Sequence, residues 1–183
     1  KGLENLNFLS VGFEWHLFFG CSKCLKSKVS KHFDMKIYFA GSIRGGREDV
    51  EIYLGLVEHL KTHGDVLTEH VADKSLILKG EEGLTDRQIH DRDMDWLGSS
   101  NVVVAEVTKA SSGVGYEIGR IVERNLWVPG NGARKPILCS YRPQIDKRLS
   151  AMIAGSPILT NFEYQNLEQA KIGIDNFFDS IVQ

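Results

Sequence analysis

Val102-Val103-Val104-Ala105, followed closely by Ser111-Ser112-Gly113-Val114-Gly115-Tyr116-Glu117, is the stretch that decides the fold. The apolar run is typical of a buried strand, and the small residues after it are typical of a turn that leads into a helix. In open α/β folds, ligands bind just beyond the carboxyl ends of the strands. We therefore expect this turn to deliver the Glu117 carboxylate to a ligand site. A turn whose glycines only let the backbone bend is the alternative.

On either side of this stretch, short apolar runs alternate with helical patterns from Met35 onward. The alternation predicts an α/β fold, a Rossmann-like (flavodoxin-like) three-layer sandwich with a five-stranded parallel sheet flanked by helices. The predicted strands are 36–40, 66–71, 101–107, 137–141 and 157–162. The predicted helices are 48–62, 85–96, 114–125, 146–153 and 167–181, with Thr85 as a helix cap.

The length of 183 residues is sufficient for one core, and we expect residues 35–183 to form a single domain. Residues 1–34 differ in composition, with an interrupted apolar run followed by a basic segment. The apolar part is too short to span a bilayer, and the order of the two parts is unlike that of a secretory signal. We interpret residues 1–34 as an extension outside the fold, disordered or non-native. An interfacial or organelle-targeting segment is the alternative.

Charge and cysteine content narrow the class of partner. The chain has 22 Lys and Arg against 24 Asp and Glu, and its net charge of −2 does not indicate binding to a nucleic-acid polymer. Any nucleotide ligand is therefore expected to be a small molecule. The three cysteines include one CxxC and no second pair, which fits a reducing environment better than a zinc site. We expect a cytoplasmic protein, present also in the nucleus, that binds no membrane.

The histidines do not indicate a metal site. His59, His63 and His90 have no Cys or carboxylate partner at the spacing of metal ligands, so we predict no metal and no organic cofactor. His70, at the end of the second predicted strand, is either structural or placed to contact a base.

Two acidic residues and a tyrosine are candidates for catalysis. Asp93 lies beside the apolar stripe of a predicted helix, where a carboxylate is either an ion-pair partner or projects into a crevice. Glu117 is expected on the first turn of a helix, where the helix dipole keeps a carboxylate ionised, with a solvent-exposed charge as the alternative. An ionised nucleophile paired with an acid is the arrangement that cleaves glycosidic bonds. Tyr38, near the end of the first strand, points either into the core or toward this crevice.

The loop after the first strand, Gly41-Ser42-Ile43-Arg44-Gly45-Gly46-Arg47, has the composition of an anion-binding turn. Its glycines permit close backbone approach, amides at a helix start can hold an anion, and arginine adds positive charge. It lacks the lysine and the following hydroxyl of a Walker loop, which argues against ATP hydrolysis. A flexible turn with solvated arginines is the alternative.

Taken together, several motifs resemble one enzyme family. They are found at 38–49, 67–71, 89–93, 102–108, 113–119 and 149–153. In this order they are similar to the 2'-deoxynucleoside 5'-phosphate N-hydrolases of the nucleoside 2-deoxyribosyltransferase superfamily, from Met35 to the last strand. The segment before Met35 and the loop at 127–134 depart from the family pattern and touch no catalytic motif.

The resemblance implies hydrolysis of the N-glycosidic bond of a 2'-deoxynucleoside 5'-monophosphate, giving a free base and 2-deoxyribose 5-phosphate. It implies that Glu117 is the nucleophile of a covalent intermediate, that Asp93 is the acid/base, and that Tyr38 orients the catalytic group and crowds the 2' position. It also implies a homodimer in which Ser150 reaches the neighbouring subunit's site. The candidate substrate-binding residues are then Gly41, Ser42, Ile43, Arg44, Gly45, Gly46, Arg47, His70, Ser111, Gly113 and Ser150.

Two alternatives stay open. If a second base rather than water accepts the sugar, the same residues make a nucleoside 2-deoxyribosyltransferase. A non-catalytic nucleotide-binding module would bind the nucleotide without cleaving it.

Overall fold

A computed structural model describes residues 35–43, 49–73, 83–130 and 133–182. The strands are β1 (Lys36–Ala40), β2 (Asp65–Val66), β3 (Val102–Glu106), β4 (Ile137–Tyr141) and β5 (Thr160–Glu163). The helices are α1 (Val50–Leu60), α2 (Asp86–Ser99), α3 (Ser112–Trp127), α4 (Ala151–Ala154) and α5 (Leu167–Ile181), and a 3₁₀ helix covers Glu69–Ala72. Among the helices of these ranges, none has the length and apolar character needed to cross a membrane.

The strands form one sheet in the order β2-β1-β3-β4-β5, and every neighbouring pair is parallel. This is the flavodoxin-like strand order, so the predicted five-stranded parallel sheet is confirmed. The order reverses between β1 and β3, which leaves a crevice beyond their carboxyl ends. Ligands bind at such a position in open α/β sheets, and the elements that follow β1 and β3 therefore carry the candidate site.

Helices cover both faces of the sheet, as the apolar strands predict. Alternate side chains of β1 belong to different cores because successive residues of a strand point to opposite faces. Ile37 and Phe39 pack in one core with α1 and α5. Tyr38 and Ala40 pack in the other with α2 and α3, and this second core adjoins the candidate catalytic residues.

The second strand is shorter than predicted. It ends at Val66, and the predicted remainder of 66–71 contains a turn and the 3₁₀ helix. The Thr68 side chain makes the hydrogen bonds that a longer β2 would otherwise make with β1. Its Oγ1 accepts from the Phe39 N–H (2.8 Å) and donates to the Phe39 carbonyl (2.7 Å). Because Thr68 satisfies both backbone groups of Phe39, the chain can leave the sheet edge and place His70 on a helical turn.

Two further boundaries differ from the sequence prediction. The helix predicted at 146–153 begins only at Ala151, since Gln144 pairs with Lys147 in an antiparallel bridge and Asp146 has a left-handed φ of 59°. The last strand runs from Thr160 to Glu163 rather than from 157. By contrast, α2 begins after the predicted cap, where Thr85 and Gln88 form a reciprocal capping box.

Candidate active site

Glu117 and Tyr38 approach each other from opposite sides of the second core. Tyr38 is buried on β1, and its hydroxyl lies within hydrogen-bonding reach of the Glu117 carboxylate. Glu117 is half-buried on α3, next to the core residues Val114 and Ile118. The sequence left open whether Tyr38 points into the core or toward the crevice. In the structure its ring lies in the core, and its hydroxyl meets the candidate catalytic group Glu117.

Glu117 does not lie on the first helical turn, so that prediction is wrong. Ser111 caps α3, with its Oγ accepting from the Val114 N–H at 3.4 Å, and the helix starts at Ser112. Glu117 thus lies in the second turn, beyond the positions where the helix dipole acts most strongly. Its electrostatics are set by its surroundings instead of by the helix end.

Burial dominates the charge state of the Glu117 carboxyl. Desolvation raises the pKa of Glu117 to about 7, the Tyr38 hydrogen bond opposes this rise, and the nearby Asp93 carboxylate adds to it. The pKa of Tyr38 is raised as well, first by burial and then by the charges of Glu117 and Asp93. The Asp93 carboxylate therefore lies within electrostatic range of both Tyr38 and Glu117.

Asp93 is held by an arginine that the sequence analysis did not single out. Arg92 directs its Nε (3.0 Å) and one terminal nitrogen (2.8 Å) to Oδ1 of Asp93, and only 20% of the Asp93 side chain is exposed. The same guanidinium lies over the Trp96 ring, 4.6 Å from its centroid. Arg92 therefore fixes the orientation of Asp93 through Oδ1. The signal in the sequence was the Arg92-Asp93 pair beside Trp96 on one helix.

His70 joins this group from the 3₁₀ helix. Its Nε2 is 3.3 Å from the Arg92 guanidinium, and its ring centroid is 5.5 Å from that of Trp96. The two rings are tilted by 45° and, with the guanidinium, form an aromatic and cationic cluster next to Asp93. Such a cluster can contact a planar base, which supports the prediction that His70 is placed to contact one.

The loop after β1 is described only in part. Gly41 and Ser42 are buried, and Ile43 packs against the core on the α1 and α5 face. A Cβ at Gly41 would come within 3.2 Å of both Tyr53 and Val71, so close packing explains this glycine. The predicted anion ligands Arg44, Gly45, Gly46 and Arg47 lie outside the described residues.

Ser111 and Ser150 lie on the flank of α3 away from Glu117, whereas Gly113 lies in the first turn of α3, one turn before Glu117. Ser111 and Ser150 both line a groove of about 1440 Å³ between α3 and the segment before β5. Ser150 is exposed at the start of α4 and makes no capping hydrogen bond. Within the described part of the chain, the groove walls do not include Tyr38, Asp93 or Glu117. One chain thus brings Ser150 near Ser111 but not to the carboxylate pair.

A buried polar network beneath the site was missed by the sequence analysis. Arg142 pairs with the buried Asp49 at 2.5 Å, and Glu106 accepts from the hydroxyls of Tyr164 (3.0 Å) and Thr108. Burial raises the pKa of Glu106, whereas its two hydrogen bonds oppose the rise. Asp49 directly precedes α1, so the network ties the start of this helix to the ends of β3 and β4. A glutamate at the end of an apolar strand was the available signal.

The prediction that His59 and His63 have no carboxylate partner is also wrong. Asp175, on α5, places its Oδ1 2.7 Å from His59 Nε2 and 2.8 Å from His63 Nε2. This cluster lies on the α1 and α5 face of the sheet and not at the carboxylate pair. Its acidic member is more than a hundred residues away along the chain, which is why residue spacing alone did not reveal it.

The arrangement around Glu117 fits one kind of chemistry well. Glycosidic cleavage with retention uses two carboxyl groups, one that attacks the anomeric carbon and one that protonates the leaving group. Here the half-buried Glu117 has a pKa of about 7, and Asp93 is oriented by an arginine. The described residues thus bring together two carboxyl groups in different environments.

Comparisons with known proteins agree with this chemistry. The model of the family described as nucleoside 2-deoxyribosyltransferase matches residues 37–135. The 5-hydroxymethyl-dUMP N-hydrolase of Danio rerio is 46% identical over 151 residues, covering 81% of this chain and 99% of its own. The human protein of that name is 46% identical over 147 residues, 79% of each chain. The Clostridium botulinum CMP N-glycosidase BcmB shares the fold, with a TM-score of 0.54 at 12% identity over 78% of this chain and 98% of its own.

Proposed function

The chain belongs to the nucleoside 2-deoxyribosyltransferase family, and from this premise we propose that it hydrolyses the N-glycosidic bond of 2'-deoxynucleoside 5'-monophosphates. The products are a free base and 2-deoxyribose 5-phosphate. The observation that carries the proposal is the convergence of Glu117 and Asp93 around Tyr38. Relatives named 5-hydroxymethyl-dUMP N-hydrolases support a phosphorylated deoxynucleoside as substrate.

In the first step, the ionised Glu117 carboxylate attacks C1' of the deoxyribose. The bond between C1' and the base nitrogen breaks, and Asp93 gives its proton to the departing base. In the second step, water attacks C1', its proton passes to Asp93, and the Glu117 carboxylate leaves. The Tyr38 hydroxyl donates to Glu117 and lowers its pKa against the larger effect of burial, which supports the ionised form in this assignment of roles.

Tyr38 also supports a preference for deoxyribose. Its ring is fixed in the core while its hydroxyl lies at Glu117, so it occupies space next to the carbon that Glu117 attacks. A 2'-hydroxyl on the sugar would compete for that space and for the same hydrogen bond. We therefore expect ribonucleotides to react more slowly than deoxyribonucleotides.

The 5'-phosphate is assigned to the amino end of α3 and to the loop at 41–47. Ser111 and Gly113 lie at the start of a sixteen-residue helix, where free backbone N–H groups favour an anion. Ser150 of a second copy completes the phosphate site in this proposal. A homodimer is supported by the groove beside Ser150, because about 1440 Å³ exceeds the roughly 300–1000 Å³ of ordinary small-molecule sites.

An exposed apolar side chain in this groove supports the same dimer. Met152 lines the groove next to Ser150 and is 84% exposed. An exposed apolar side chain beside a groove favours a protein partner, and a second copy would cover it.

We also propose a cytoplasmic location, with the nucleus as a second compartment, supported by the buried free thiol of Cys139.

A substrate panel tests the proposed function. The purified protein is incubated with deoxynucleoside 5'-monophosphates, including 5-hydroxymethyl-dUMP, with their unphosphorylated forms and with the matching ribonucleotides, and the products are separated by chromatography. We expect free base and 2-deoxyribose 5-phosphate from the phosphorylated deoxynucleosides alone. Product that forms only after a second base is added would identify a transferase, and tight binding without cleavage would identify a nucleotide-binding module. Either outcome overturns the hydrolase.

A further inference from the structure

Two helices that are far apart in the chain meet at a cluster of two histidines and an aspartate. His59 lies in the last turn of α1, and His63 lies in the turn that follows the helix, held by its N–H donating to the Leu60 carbonyl at 2.9 Å. Asp175 comes from α5, which packs against α1 in the core on that face. Both imidazole Nε2 atoms meet one carboxylate oxygen, at 2.7 Å for His59 and 2.8 Å for His63.

We propose that His59, His63 and Asp175 form a binding site for a divalent transition-metal ion such as Zn²⁺. Imidazole nitrogen and carboxylate oxygen are the donors that Zn²⁺ accepts together, and two histidines four residues apart with an acidic third ligand are a common donor set. The site lies on the α1 and α5 face, whereas Tyr38 packs on the α2 and α3 face of the sheet. It therefore goes beyond the proposed hydrolase activity and does not depend on it.

The ligand atoms are already close to the required geometry. All of them lie within 4.8 Å of one another. A tetrahedral Zn²⁺ with bonds of about 2.0–2.1 Å holds its ligand atoms about 3.4 Å apart. Small side-chain movements, which change each separation by about 1.4 Å or less, therefore suffice. An imidazole that donates to Asp175 from Nε2 must move that proton to Nδ1, and its Nε2 lone pair then becomes available to the ion.

Packing fixes the rings while leaving a path for the ion. The His63 ring stacks on Phe178, with centroids 4.3 Å apart and an angle of 19°, and the His59 ring meets His63 edge to face at 5.6 Å. The two histidine side chains are 18% and 20% exposed, and Asp175 is 48% exposed. Ordered rings lower the entropy lost on binding, and the exposed side admits the ion with a water ligand.

Binding at this place would stabilise the fold. The ion would link α1 to α5, and any ligand that binds only the folded state shifts the equilibrium away from unfolding. The hydrogen-bonded cluster already joins these helices, so the metal would replace two hydrogen bonds by three coordination bonds.

The test measures metal binding and thermal stability, without any assay of activity. The full chain is used with Cys21→Ser and Cys24→Ser, which removes the CxxC pair as a competing ligand set. After dialysis against a chelator, Zn²⁺ is titrated by calorimetry, Co²⁺ by its visible absorption, and the unfolding temperature is followed with added Zn²⁺. We expect one ion per chain, the intense absorption of four-coordinate Co²⁺, and an unfolding temperature that rises with Zn²⁺.

Conservative variants separate metal binding from the existing hydrogen bonds. His59→Gln and His63→Gln keep an N–H that can donate to Asp175 but lose the imidazole lone pair, and Asp175→Asn keeps an oxygen acceptor. We expect each to weaken Zn²⁺ binding by more than about tenfold, since even outer-shell changes can cost that much. His90→Gln, on α2, is the matched control and should bind like the parent. Absence of saturable one-to-one binding in the parent, or unchanged binding in the Gln variants, would overturn the site.

Discussion

The Tyr38 hydroxyl and the Glu117 carboxylate lie against each other at the inner edge of the site, and burial raises the pKa of both groups. A carboxyl with a pKa of about 7 changes charge in the pH range where most enzymes work. In the proposed mechanism Glu117 must be ionised to attack the sugar. The charge of one buried residue thus connects the pH, the stability and the activity of the protein.

The first prediction concerns the pH dependence of catalysis. Because Glu117 attacks as the carboxylate, kcat/KM should rise as pH increases through about 7. Tyr38→Phe removes the hydrogen bond that favours the ionised form, so this rise should move to higher pH by about one unit. The 5'-phosphate of the substrate also titrates, near pH 6. Because both enzymes receive the same substrate, the difference between their pH profiles reports the ionisation of Glu117. Activity that falls through pH 7 would assign Glu117 the role of the acid.

The second prediction concerns stability. The pKa of Glu117 is higher in the folded state than in the unfolded chain, so its contribution to stability is fully present below about pH 4.5 and is lost as pH rises through 7. Glu117→Gln removes the ionisation and should increase the free energy of unfolding at pH 8 by up to about 3 kcal/mol. At pH 4 the gain should vanish. Urea unfolding at both pH values checks this, with the exposed Glu123→Gln on the same helix as control. Equal effects of Glu117→Gln at both pH values would contradict it.

The third prediction concerns Arg92 as a positioning residue for Asp93. Arg92→Lys keeps the charge but loses the two nitrogens on Asp93 and the flat contact with Trp96, so kcat should fall by about tenfold or more. Arg87→Lys is the matched control, since Arg87 is exposed on the same helix and pairs with Asp91. The measurement is kcat and KM with a deoxynucleoside monophosphate, together with the pH profile. A change in KM alone, or equal losses in the two variants, would argue against positioning of Asp93.

The fourth prediction concerns the shared site. If Ser150 acts in the neighbouring subunit, Glu117→Gln and Ser150→Asp inactivate different halves of each site. Mixing the two variants under conditions that exchange subunits should then restore about a quarter of the wild-type activity, because half of the dimers carry one intact site. The measurement is base release before and after mixing, with size-exclusion chromatography to follow the dimer. No recovery from a dimer that demonstrably exchanges would place Ser150 in its own subunit's site.

The sheet and its helices could be predicted because each has a strong periodic signal. β1, β4 and α5 begin and end where the sequence predicts, and Thr85 caps α2 as expected. The elements whose boundaries differ from the prediction depend on tertiary contacts. Thr68 ends β2 by hydrogen bonding to Phe39, 29 positions away, and no local sequence pattern indicates such a bond.

The proximity of Tyr38 and Glu117 was predictable for a different reason. Parallel strands present their following loops at one edge, so Tyr38 and Glu117 could be placed near each other from topology alone. The pKa of Glu117 could not be predicted from the sequence, because it depends on how deeply the side chain is buried and on where α3 begins. The histidine cluster was missed because Asp175 meets α1 only through helix packing.

The most direct test of the central claim compares base release by the wild type and by Glu117→Gln. Both proteins are incubated with the same deoxynucleoside 5'-monophosphate at pH 8, and the free base is quantified, with Glu123→Gln as control. Loss of the attacking carboxylate should slow release by at least about a hundredfold, while the control keeps the wild-type rate. A folded Glu117→Gln protein that releases base at the wild-type rate would contradict the account.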